Sequence, residues 1–88
     1  MFIIEDDFHA EFISEKFDSF EAAYKELQSV ADIPFGVKPN NPPCTSWRNC
    51  LRDYHILEYD DSVVPWKRLS DIKVLEVSAT GIVWHYKA

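Results

Sequence analysis

The chain reads as an α+β domain: an antiparallel sheet of about five strands with one amphipathic helix packed on one face. Three observations predict it. Several short runs alternate apolar and polar residues, a single stretch has helical apolar spacing, and a proline-rich segment between them suits neither period. The expected order is strand, strand, helix, long loop, then three strands, all within one domain spanning residues 1–88. A chain of 88 residues is too short to bury two separate cores.

Phe2 to Glu5 predicts a short first strand. Phe8 to Phe17 predicts a second, with Phe8, Ala10 and Phe12 on one face and His9, Glu11 and Glu15 on the other. Asp6-Asp7 is the turn between them, and without a glycine it is expected to exceed two residues. The helix starts at Asp18 or Ser19, either of which can cap free backbone amides; Glu21 follows Asp18 in capping-box spacing. Phe20, Ala23, Tyr24, Leu27, Val30 and Ala31 form its apolar stripe. Asp32-Ile33-Pro34 ends it, because a residue preceding proline resists helical geometry.

Asp53 to Tyr59 alternates as a strand, and Asp60-Asp61-Ser62 is a turn. Val63 to Leu69 contains Pro65, which restricts it to an edge strand or an extended connection. Ile72 to Ser78 and Ile82 to Tyr86 make a hairpin around Ala79-Thr80-Gly81.

Hydrophobic residues are 47% of the chain, which excludes a disordered tail. The net charge of −6 is unevenly spread: −7 over residues 1–32, +3 over 33–52 and −2 over the remainder. Acidity of this kind argues against direct nucleic-acid binding, which needs a basic face. No run approaches the ~20 apolar residues of a membrane span. The acidic start MFIIEDDF lacks the basic leader of a signal peptide, so a cytoplasmic location is expected. In a reducing compartment Cys44 and Cys50 are then expected to be thiols.

The most distinctive segment is the long loop 33–52. It holds four of the five prolines, both cysteines, Trp47, Lys38, Arg48 and Arg52, and no carboxylate. Arginines beside an indole can grip an anion and stack on it. The plainer alternative is that Arg48 and Arg52 pair with Asp53 or with the acidic N-terminal strands and tie the loop down. Trp47, Tyr54, Tyr59, Trp66, Trp84 and Tyr86 supply interface-type aromatics, should the sheet face opposite the helix carry them.

Catalytic and metal motifs are weak. Cys44 and Cys50 are separated by five residues, outside the two-residue redox gap and the two-to-four gap of zinc knuckles. His9, His55 or His85 would have to complete any metal site. A Cys50–His55 pair oriented by Asp53 is opposed by strand alternation, which puts an odd offset on opposite faces. With glycine only at positions 36 and 81, phosphate-loop and dinucleotide fingerprints are excluded.

The expectation is a non-catalytic module with no cofactor and no metal, contacting another protein or a second copy of itself through the 33–52 loop. Trp47 is its anchor, Arg48 and Arg52 its anion clamps, and Trp66 an adjoining contact. One alternative is an acidic inhibitor that covers a basic nuclease or nucleic-acid-binding protein with Glu5, Asp6, Asp7, Glu11 and Glu15. Another is a small enzyme with a Cys/His metal or thiol site built from Cys44, Cys50 and a histidine.

Overall fold

The computed structural model describes residues 1–44 and 50–87. Among these, five strands and one helix follow the order β1 (Phe2–Asp6), β2 (Glu11–Phe12), α1 (Phe20–Ala31), β3 (Leu51–Asp60), β4 (Lys67–Ser78) and β5 (Gly81–Trp84). Neighbouring strands are antiparallel and the sheet order is β2-β1-β3-β4-β5. The α+β reading is correct. The first hairpin therefore joins the later strands through β1, which lies beside β3 with Asp6 opposite Tyr54.

α1 begins where its capping chemistry places it. Ser19 has extended backbone, and its Oγ accepts the Ala22 N–H at 3.1 Å. Ala23, Leu27 and Val30 are buried against Ile4, Tyr54, Ile56, Val74, Leu75 and Val77 of the sheet. Phe20 and Tyr24 continue the stripe onto the far edge, where Tyr24 stacks on Trp84 and Phe20 meets Tyr86 edge-on. Burying a side chain such as Leu27 is worth about 1.5–3 kcal/mol, so this face secures the helix.

Two elements depart from the pattern-based expectation. The second strand shrinks to Glu11–Phe12, because residues 7–10 form a turn in which Ala10 adopts φ 54°. Asp6 Oδ1 accepts the Phe8 N–H and curls the chain locally, so the alternation of Phe8 and Ala10 does not become a strand. Residues 13–17 follow β1 loosely, with Ser14 Oγ accepting the Ile4 N–H and a single bridge at Phe2–Phe17. At the other end, Val63 to Leu69 divides. Residues 63–66 connect the strands, and 67–69 belong to β4, which runs to twelve residues.

The sheet face away from α1 is polar around His55, while Ile3 and Leu57 are buried on it. Because Tyr54 and Ile56 face the helix, Asp53 and His55 point the other way. There His55 contacts Asp71 and Asp53, while Lys73 contacts Asp53 and Glu76. Tyr54, Trp84 and Tyr86 pack toward the helix instead, so they do not form an aromatic surface on this open face. Among the described residues, no helix is long and apolar enough to cross a membrane.

Candidate functional site

The long loop is held at its centre by Asn40. This buried side chain donates from Nδ2 to the carbonyls of Val30 and Ile33, closing the C-terminal end of α1. Its Oδ1 accepts from the buried Tyr54 hydroxyl at 2.5 Å. Burial raises the Tyr54 phenol above its usual range, which keeps it a neutral donor. One amide thereby ties the loop to both helix and sheet.

Arg52 makes the second attachment. Its Nε donates to the Pro39 carbonyl at 3.1 Å, and Nη2 reaches the Asn41 carbonyl. Nη1 bonds Asp6 Oδ2 at 2.9 Å and also Glu11. Only 6% exposed, this guanidinium is engaged internally, in the tie-down arrangement rather than as an outward anion clamp.

Asp6 is fully buried and uses both oxygens. Oδ1 accepts the N–H groups of Phe8 and Asp53, each at 3.0 Å; Oδ2 accepts from Arg52 and from His9 Nδ1 at 2.6 Å. Desolvation alone would raise its carboxyl. The hydrogen bonds from Asp53, Arg52 and His9 outweigh it and hold Asp6 below the ordinary carboxylate range. Such a carboxylate is no external docking charge, which removes Asp6 from the acidic surface proposed for an inhibitor.

The same bond orients His9. A carboxylate can only accept, so Nδ1 is the donor and Nε2 is left to face the cysteines. Nε2 lies 3.0 Å from Cys44 Sγ and 3.9 Å from Cys50 Sγ. The side chain is 13% exposed and Cys50 is 4% exposed, so the group sits just beneath the surface. Asp6, His9 and Cys44 form a carboxylate–imidazole–sulfur line.

Cys44 and Cys50 are joined in a disulfide, not separate thiols as expected. Their Cα atoms are 6.2 Å apart, inside the span a disulfide requires, because Arg52 and Asn40 hold the loop against the start of β3. The Cys50–His55 pair, which strand alternation already opposed, does not form: His55 lies on the opposite sheet face against Asp71 and Asp53. His9 is the histidine that reaches the sulfurs, across 35 residues of sequence from Cys44. Its local signal was only Asp6-x-x-His9 in a turn, indistinguishable from a solvated loop.

Of the remaining sequence candidates, Trp47 and Arg48 lie outside the described residues. Trp66 is 41% exposed, with Lys16 Nζ over its ring and Tyr59 beside it. It stands at the far end of β3 from Arg52, on the order of 20 Å away at strand rise, so the two do not share a surface. Phe8 and Phe12, both more than half exposed, flank the His9 turn instead. An open depression of about 480 Å³ between the end of α1 and the β4–β5 hairpin is lined, among the described residues, by no lysine, arginine, histidine or cysteine. Comparison with protein-family models, with curated proteins and with solved structures returned no match.

Proposed function

We propose that this chain is a non-catalytic, cytoplasmic interaction domain whose contact with a protein partner is set by the thiol–disulfide state of Cys44 and Cys50. The observation that carries the reading is the line from buried Asp6 through His9 to the sulfur of Cys44. A bridge that only stapled a loop would need no oriented imidazole; a reversible one benefits from a base beside the thiol that opening releases.

The exchange balances with a dithiol reductant. One thiolate of the reductant attacks the more accessible Cys44 sulfur, the Cys44–Cys50 bond breaks, and Cys50 leaves with the electron pair and takes up a proton. The second reductant thiol then closes its own disulfide and releases Cys44 as the second thiol. Two electrons and two protons have moved to the protein. The bridge closes a ring over residues 44–50, so opening it removes the covalent link across the sequence that carries Trp47 and Arg48. Phe8 and Phe12 supply exposed apolar area beside the His9 turn.

The test is equilibration in graded glutathione buffers, with alkylation and mass measurement of trapped thiols. A midpoint between about −300 and −180 mV supports a switch, since structural bridges lie below about −300 mV. Partner capture from the native host should differ between the oxidised chain and its C44S/C50S form. A midpoint more negative than that range, with identical capture, refutes the reading.

A further inference from the structure

We infer that the reduced form binds one zinc ion through Cys44 Sγ, Cys50 Sγ and His9 Nε2, with Asp6 as the hydrogen-bond acceptor that orients the histidine. This rests on the proposed thiol–disulfide switch, because only the dithiol state offers the sulfur ligands.

The ligand atoms of these three residues all lie within 4.8 Å of one another. Tetrahedral zinc, with Zn–S near 2.3 Å and Zn–N near 2.0–2.1 Å, sets nitrogen-to-sulfur edges of about 3.5 Å. The observed separations of 3.0 and 3.9 Å bracket that value. Opening the bridge need only let the sulfurs part to about 3.8 Å. With Nδ1 donating to Asp6, the imidazole presents Nε2, the nitrogen that already faces both sulfurs, as the ligand atom. A ligating histidine whose second nitrogen donates to a carboxylate is the usual arrangement around zinc.

The surroundings favour the same ion. Two thiolates neutralise a divalent cation, and sulfur with imidazole selects zinc over hard cations. Asp6 is itself locked by Arg52 and two backbone amides, so the histidine is backed by a rigid partner. With three protein ligands, the fourth position is left to water or to a donor from a partner. The Asp7–His55–Asp71 cluster on the open sheet face makes a contrast: it lacks sulfur, and Arg68 lies against Asp71.

The experiment uses the full chain, reduced with a phosphine, desalted without oxygen and assayed for free thiols before metal is added. Cobalt(II) is titrated as the optical probe, and zinc is then added to displace it. The expected result is one cobalt per chain with thiolate charge-transfer absorption, tetrahedral ligand-field bands and protection of both thiols from alkylation. C44S, C50S and H9Q should each abolish those bands. D6N should weaken affinity about 10- to 100-fold while keeping the thiolate bands. Circular dichroism identifies any variant that fails to fold, and H9Q, which leaves the Asp6–Arg52 pair intact, still tests the ligand set should D6N not fold. Two free thiols with no metal uptake overturn the zinc inference and leave the switch standing. Failure to release thiols at any reductant level overturns both, and so does unfolding on reduction that zinc does not reverse.

Discussion

Reducing the Cys44–Cys50 bridge should weaken the fold without abolishing it, and the reason is the small ring. The bridge joins residues six apart in sequence. Loop-closure entropy for about seven residues gives a stabilisation of about 2.4 kcal/mol at 25 °C. For a domain of this size that corresponds to a fall in Tm of about 10–19 °C. Total stabilities of about 5–15 kcal/mol leave the reduced chain folded in physiological buffer. The contacts that remain are numerous: Asn40 still bonds α1 and Tyr54, and Arg52 still bonds Pro39 and Asp6. Urea unfolding of the oxidised chain, the reduced chain and the C44S/C50S variant, monitored by tryptophan fluorescence, measures the difference. Agreement of the latter two near the expected loss supports the reasoning. Collapse of the reduced chain at zero urea would falsify it, because the bridge would then be a condition of the fold rather than an attachment to it.

Replacing Asn40 with Ala removes a partner from the Tyr54 hydroxyl, which keeps a longer bond to the Pro39 carbonyl, and from the Ile33 and Val30 carbonyls, of which Val30 keeps the Ile33 N–H. A buried group left unpaired costs about 1–3 kcal/mol, so a loss of about 1–3 kcal/mol is expected in urea melts. Arg52→Met leaves Asp6 buried without its cation and should cost about 3–5 kcal/mol, read by thermal denaturation; a loss under about 1 kcal/mol would show that the pair is dispensable. For His55, desolvation alone would lower the pKa. The hydrogen bond to Asp71 and the charge of Asp53 outweigh it and raise the value above the ordinary histidine range. Because the folded form holds its proton more tightly, His55 stabilises the fold fully below the unfolded value of about 6.5 and loses that contribution as pH rises through the folded value. His55→Gln should flatten this part of the stability–pH profile, and an unchanged profile would assign the dependence elsewhere.

The local elements were legible in the sequence because their signals are local. Ser19 and the apolar spacing from Phe20 to Ala31 suffice to specify α1, and the alternation from Asp53 to Tyr59 suffices for β3. Pro65 marked a break in the ladder for a reason of covalent structure alone, and residues 63–66 do lie outside the strands. Side-chain interactions within a turn already escaped that reading: the bond from Asp6 to the Phe8 amide cut the second strand short.

The site belongs wholly to the tertiary structure. Pairing β1 with β3 puts Asp6 opposite Tyr54, and from there Asp6 meets Arg52, which draws the proline-rich loop down and carries Cys44 to His9. Apart from Asp6 with His9 and Arg52 with Tyr54, none of those residues is near another in sequence. Periodicity reports which face of an element is apolar; it says nothing about which distant element will cover that face or which polar groups will be trapped beneath it. A buried carboxylate must find donors wherever the fold supplies them, and here those donors include the histidine that faces the two sulfurs.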